Sequence, residues 1–362
     1  MGVRWLLNFG LLALPIGVTL GVLMGIQQHR VSSGQSPLFQ DNSVTHEYSC
    51  AKSDGIVPPT KGQEYTLNPN QWGWNKGEDG ELCIYVDKNN NKTYATNTTA
   101  PLWSVTWDYP RGPIDAPVHA FPNIKVEDVF PLQVADMNKI NIDFKWNYGV
   151  GKNASKTTDV DKLIDTADMN ANVAMDMFLD SDKTKAGEST KASHEVMVWF
   201  ATIGTATQPL GLTVDEELQP AIHNMTIDST KFGLWMANNS NDQVVLTWMS
   251  YDVTTEFSGN LWPLVDYVMT ADEKYYPSKT DYMGYMSWGT EAYSANRALR
   301  RNIAIGYEPH VHHSRIHQSH LHASRHSALE PQLQSTQIHQ IADLNLARSD
   351  GGLQAARRRA RR

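Results

Sequence analysis

Alternation of apolar and polar positions with period two runs through much of the chain between residues 80 and 295. In "HEVMVWFATIGTATQPLG", residues 194–211, Val196, Val198 and Phe200 fall on one side of a strand and Glu195, Met197 and Trp199 on the other, because successive strand side chains point to opposite faces. The even positions are what a buried sheet face needs. The odd ones line up a carboxylate, a thioether and an indole, an unusual row to set against plain water. Comparable runs are "ELCIYVD" (81–87), "LWSVTWDY" (102–109), "NKINIDFKWNYG" (138–149), "NVAMDMFLD" (172–180), "KFGLWMA" (231–237), "DQVVLTWMSYD" (242–252) and "YMGYMSWGTEAY" (282–293). Clusters of Asn, Gly, Asp and Pro separate them. Only residues 258–270, "SGNLWPLVDYVMT", have a helical spacing, with Leu261, Leu264, Val265 and Val268 on one stripe. Many antiparallel strands and one helix predict an all-β, two-sheet sandwich or jelly roll.

The ends of the chain break this pattern. Arg4 precedes a charge-free run over residues 5–26, "WLLNFGLLALPIGVTLGVLMGI", long enough to span a bilayer. No clear small-residue cleavage site follows, so residues 1–30 read as a signal peptide or as an uncleaved signal anchor. Either places the body outside the cytosol, and membrane contact is expected only if the segment is kept. Residues 31–47 form a polar linker. Two cysteines, Cys50 and Cys83, suit one disulfide in an oxidising compartment. Asn-x-Ser/Thr sequons stand at Asn91, Asn97, Asn153, Asn224 and Asn238.

Charge divides the chain again. Residues 297–362 hold 11 Arg and 4 acidic residues, leaving the rest with 20 basic and 35 acidic groups. An acidic body excludes nucleic acid as an expected partner, since phosphate binding is driven by Lys and Arg. The 11 Trp and 14 Tyr favour a partner that offers flat apolar faces edged with hydroxyls, as sugars do. The tail packs seven histidines into residues 308–326 and ends in "ARRRARR". Metal binding and polyanion contact are its sharp readings; a disordered extension without function is the expected one.

Glu195 needs a partner if its face is a working one, because glycoside hydrolysis uses two carboxylates. The best candidate is Glu291, on a face with Tyr285, Ser287, Gly289 and Tyr293, where Gly289 is read as leaving room for a substrate. Asp176 interrupts an otherwise apolar strand and, beside Glu195, would share a proton with it.

Together these segments resemble glycoside hydrolase family 12, the compact endoglucanases and xyloglucanases with a concanavalin-like jelly roll. "HEVMVWFATIGTATQPLG" looks like the family's nucleophile strand and "SWGTEAYS" like its acid/base strand. "NPNQWGWNKGEDGELC" looks like the segment ending in the second cysteine, and "NVAMDMFLD" like the strand carrying the assisting Asp. "FSGNLWPLVDYV" fits the family's single helix. The segments come in the family's order and delimit a catalytic domain over residues 48–296.

The resemblance implies a retaining mechanism on a β-1,4-glucan, with Glu195 as nucleophile, Glu291 as acid and then base, and their carboxyls about 5–5.5 Å apart. It implies that Asp176 hydrogen-bonds Glu195. Asn70 and Trp72 would bind sugar, and Met197 and Trp199 would line the floor near the cleavage point. It also implies a Cys50–Cys83 disulfide and no metal or cofactor; a monomer is expected. One departure stands out: the family returns as β-structure after the acid/base strand, whereas residues 297–362 carry no strand pattern beyond "NIAIGY". An intron or frameshift error would account for such a tail. Two other functions fit the same residues: a membrane-anchored transglycosylase that remodels wall glucan, and a non-catalytic glucan-binding jelly roll, which the paired glutamates disfavour.

Overall fold

The computed structural model describes residues 2–33, 38–39, 43–91, 94–150, 158–212, 214–215, 217–218, 220–271, 273–295, 303–306 and 343–348. The chain forms two units: residues 1–45 with 89–93, and residues 46–88 with 94–362. In the first, helix α1 (Gly2–Ser32) carries Pro15 in its interior. The Thr19 hydroxyl donates to the Pro15 carbonyl at 2.7 Å, one turn further on. From Phe9 to Arg30 the helix is long and apolar enough to cross a membrane.

The strands follow in order: β1 (Val44–Ser49), β2 (Tyr65–Asn68), β3 (Glu81–Asn89), β4 (Trp103–Asp108), β5 (Asn123–Val126), β6 (Leu132–Gln133), β7 (Met137–Lys145) and β8 (Asn147–Val150). Helix α2 (Val160–Ala167) leads into β9 (Asn170–Asp180) and β10 (His194–Ile203). A small ribbon, β11 (Val214–Asp215) and β12 (Glu217–Leu218), precedes β13 (His223–Ile227), β14 (Thr230–Asn238), β15 (Val244–Ser250) and β16 (Glu256–Asn260). Helix α3 (Trp262–Thr270), β17 (Tyr282–Gly289), β18 (Ala292–Ser294), β19 (Ile303–Gly306) and β20 (Asp343–Arg348) are the last elements among the described residues.

One large sheet has the order β13-β14-β15-β10-β9-β17-β5-β2, with β18 alongside β9 and β6 alongside β17. Opposite it lie the sheet β1-β3-β4-β19-β8 and the smaller β16-β7-β20. Val196, Val198 and Phe200 are fully buried in a single apolar cluster with Ile84, Val105, Ile142 and Phe144 from the opposing strands. Phe200 anchors that cluster. Its ring packs on Phe144 at 4.7 Å, Phe257 at 5.4 Å, Trp288 at 5.6 Å and Phe232 at 5.9 Å, within the range where aromatic pairs add to area burial. The jelly-roll expectation is met, and so is the Cys50–Cys83 disulfide.

Three details differ from the sequence reading. The helical stretch begins later than expected: residues 258–260 end strand β16, and the helix starts at Trp262 with Pro263 in its first turn, where a missing N–H costs nothing. Helix α2 was not expected. Its signal is local, an Asp159 N-cap whose side chain accepts from the Lys162 amide at 3.1 Å, ahead of Leu163 and Ala167 on the buried side. In the tail, β19 falls within "NIAIGY" and pairs with both β4 and β8, while β20 pairs with β7, a strand the sequence pattern did not suggest. The histidine cluster and the terminal arginines lie outside the described residues.

Candidate active site

The face of the large sheet turned away from the core is built in transverse rows, which the strand registers define. One row runs Trp235, Thr247, Met197, Asp176, Ser287, Lys125 and Thr66. A neighbouring row runs Ala237, Val245, Glu195, Phe178 and Tyr285, and one on the other side runs Gly233, Met249, Trp199, Ala174, Gly289 and Asn123. Glu195 and Asp176 therefore occupy adjacent rows on adjacent strands. Met197 and Trp199 gather with Phe121, Ala174, Val245 and Met249 in an apolar cluster separate from the core. They are 5% and 3% exposed, and the Trp199 indole N–H lies 3.5 Å from the Met197 sulfur. They form a closed floor rather than an open one.

Past Trp199 the alternation breaks. Trp199 pairs with Ala174 but Ala201 pairs with Val173, so Phe200 is the extra residue of a β-bulge, which re-aims every side chain after it. Ala201 and Val173 turn into the core, and Thr202 takes its place opposite Asn172.

Glu291 reaches this face differently. It lies between β17 and β18, where strand pairing is interrupted. Thr290 is fully buried, and its hydroxyl bonds the Asn172 carbonyl and meets the Tyr148 hydroxyl at 2.6 Å. The Glu291 amide donates to the Asn172 Oδ1 at 2.7 Å, the Asn172 amide donates to the Glu291 carbonyl at 3.3 Å, and the Asn172 side-chain NH2 donates to Glu291 Oε2. The Tyr293 hydroxyl donates to the same oxygen at 3.4 Å. Asn172 has the parity of Asp176 on β9, four residues away, and that spacing on one strand face was the signal by which it could have been found. Gly289 does a different job from the one expected. A Cβ there would lie 2.2 Å from the Pro122 carbonyl, so the glycine serves close strand approach, not substrate access.

The loop bearing Asn70 and Trp72 is fastened to the same corner. Asn70, in the left-handed region at φ 43°, accepts from the Phe121 amide at 2.9 Å, and the Gly73 amide donates to the His119 carbonyl at 2.9 Å. His119 and Ala120 in turn exchange hydrogen bonds with Ala292, the residue after Glu291. Between Asn70 and Gly73, Gln71 is buried and accepts from the Tyr109 hydroxyl at 2.7 Å, while Trp72 is 54% exposed. Backbone bonds through residues 119–121 thus tie the loop that carries this solvent-facing indole to Ala292.

The three carboxyls differ in charge tendency. Burial pushes Glu195 up to about 7, and a hydrogen bond with Asp176 holds it back from rising further. Asp176 is raised well above the ordinary carboxylate range, first by burial, then by the charges of Glu195 and Glu291. Burial and the charge of Glu195 raise Glu291 to about 8, against the opposing donors Asn172 and Tyr293. Glu195 and Glu291 are only partly buried by exposure, so their desolvation comes from crowding at a surface that water still reaches. As pH rises, Glu195 loses its proton first, leaving one anion between two carboxylic acids. That is the state a nucleophile and a proton donor need together.

Of the sequons, Asn97, Asn224 and Asn238 are exposed and Asn91 is half-buried, while Asn153 lies outside the described residues.

A family model described as glycosyl hydrolase family 12 matches residues 63–301. A probable xyloglucan-specific endo-β-1,4-glucanase A from Aspergillus clavatus is 27% identical over 251 residues, covering 69% of this chain and 86% of that protein. The xyloglucan-specific endo-β-1,4-glucanase A of Aspergillus niger is 24% identical over 235 residues, covering 65% and 81%. Among solved structures, the family 12 endoglucanase 3 of Trichoderma harzianum superposes with a TM-score of 0.52 at 21% identity, over 72% of this chain and 93% of that one. The native family 12 xyloglucanase of Bacillus licheniformis does so with 0.51 at 15% identity, over 84% and 100%. The two structures share the fold with this chain, and the family match covers both glutamate-bearing segments: the chain belongs to glycosyl hydrolase family 12 and is a glycoside hydrolase.

Proposed function

We propose that this enzyme is a secreted endo-β-1,4-glucanase that hydrolyses internal bonds of xyloglucan, cellulose or related β-glucans with retention at the anomeric carbon. The reading is carried by one observation: Glu195, Asp176 and Glu291 share one sheet face, and the first to ionise is flanked by two that keep their protons. The Glu195 carboxylate attacks the anomeric carbon while Glu291 gives its proton to the departing glycosidic oxygen, so one C–O bond forms as another breaks. With Glu195 esterified, its charge no longer raises Glu291, whose carboxylate then takes a proton from water. The water oxygen displaces Glu195, which leaves with its electron pair. Asp176 donates to Glu195 and keeps it an anion. Asn70 and the exposed Trp72 hold a sugar unit beside Glu291, the indole against a pyranose face, above the Met197–Trp199 floor.

Helix α1 supports export, as a signal peptide or as an anchor facing outward. The anchored form favours a second reading, transglycosylation, in which a glucan hydroxyl replaces water in the second step. The test is release of reducing ends from xyloglucan, barley β-glucan and carboxymethylcellulose by full-length protein secreted from a eukaryotic host. Glu195→Ala and Glu291→Ala are expected to abolish it. Proton NMR of the first product anomer should report retention, and chain lengthening with added acceptor oligosaccharide would favour transfer. Folded protein that binds glucan without cleaving it would overturn the reading.

A further inference from the structure

We infer that Asn224 carries an N-linked glycan whose first sugar rests beside Tyr251, closing the β13 end of the face that holds Glu195. The inference rests on export as proposed above.

Four observations converge on this position. Asn224 pairs with Gly233, which pairs with Met249 and through it with Trp199, so it stands on the Glu195 side of the sheet. Its neighbours Met225 and Ile227 point the other way, towards the core. The residue is exposed, as is Thr226, the hydroxyl-bearing third residue of the sequon. Tyr251 is 47% exposed, and its hydroxyl donates to the Asn224 Oδ1 at 2.6 Å. That bond holds the Asn224 amide against Tyr251 by its oxygen and leaves the Nδ2, the atom a glycan takes, out of the bond. Gly233 makes the arrangement possible, because a Cβ there would meet the Tyr251 hydroxyl at 2.6 Å and the Trp235 ring at the same distance. The ring is left with Lys231 above it, its ammonium 5.0 Å from the centroid, a side chain flexible enough to yield to a sugar.

The chemistry is a group transfer from a lipid-pyrophosphate-linked oligosaccharide in the secretory compartment. The Asn224 Nδ2 forms a bond to the donor's anomeric carbon as the bond to the pyrophosphate oxygen breaks. The lipid pyrophosphate leaves with the electron pair and a proton leaves the amide. Among the described residues strand β13 ends the sheet order, and an exposed strand edge invites pairing with other chains. A glycan there shields that edge.

Full-length protein secreted from a eukaryotic host is mapped by glycopeptide mass spectrometry, alongside Asn224→Gln, Tyr251→Ala and the double variant. Occupancy of Asn224 in most molecules is expected, as is a melting temperature lower by about 2–4 °C in Asn224→Gln. The loss in the double variant should be smaller than the sum of the two single losses, because each removes the same contact. An unmodified Asn224 in protein whose other sequons are occupied would overturn the inference while leaving export intact. Protein bearing no glycan at any sequon would overturn both. Occupancy with strictly additive losses would refute the Tyr251 contact.

Discussion

The two faces of strands β9 and β10 share one backbone and one set of ladder hydrogen bonds, yet they carry opposite chemistry. Inward, Val173, Met175, Met177 and Leu179 oppose Val196, Val198 and Phe200, all within the continuous core. Outward, Asn172 and Asp176 stand with Glu195, and each carboxyl is held away from its ordinary ionisation. The inward face yields stability through close packing. The outward face gives some of it back, since a carboxyl kept from ionising makes folding less favourable once the unfolded chain has released that proton. Rigidity on one side is what lets strained protonation persist on the other.

The largest expected effect breaks the outward face alone. Glu195→Gln should lower kcat by about 10⁴-fold or more and still raise the melting temperature. The folded carboxyl titrates near 7, above its reference value of 4.5. The folded state therefore holds this proton more tightly than the unfolded chain, and its disadvantage appears above pH 4.5 and is complete above 7. The variant's advantage in thermal melts should be near nil at pH 4 and plain at pH 8; an equal gain at both would refute the account.

Phe200→Ala breaks the inward face. Removing a ring wedged among Phe144, Phe257 and Trp288 should cost about 3–5 kcal/mol in urea unfolding, with the limbs of the pH–rate profile unmoved.

Asn172→Ala acts where the two kinds of chemistry meet. A misplaced proton donor can cost about 10²-fold in kcat. Because the Asn172 NH2 favours the Glu291 carboxylate, its loss should also move the alkaline limb upward from about 8. A downward shift would contradict that sign.

Tyr293→Phe is the mildest test. It removes the longer, 3.4 Å donor to the same oxygen, and should move that limb in the same direction by less than Asn172→Ala does, with kcat changed only a few-fold.

Much of this comparison was legible in the chain. The alternation from Val196 to Phe200 assigned the two faces of β10, and the lone Asp176 in an apolar run marked its strand's outward side. What the sequence hid has particular causes. The bulge at Phe200 has no residue signature, since Phe and Ala suit either side of a ladder. Glu291 was read on a continuous strand, but a buried Thr290 ends that strand, and the hydrogen bonds responsible come from Asn172 and Tyr148, more than a hundred residues earlier in the chain. Gly289 was misread because its crowding partner, the Pro122 carbonyl, is backbone. Trp72 could be named as a sugar-binding aromatic, but the tie between its loop and the segment after Glu291 runs through backbone amide bonds at His119 and Ala292.

One polar thread has a consequence for how such an enzyme drifts in evolution. The Trp107 indole donates to the Tyr148 hydroxyl at 3.4 Å, and that hydroxyl meets Thr290 at 2.6 Å, next to Glu291. Trp107 and Tyr148 belong to β4 and β8, the two strands that β19 joins. Mutations far from any sugar, in the opposing sheet or in the terminal stretch that closes it, are thereby exposed to selection through turnover. In a lineage tolerant of tail changes, lost catalytic rate should precede lost foldedness.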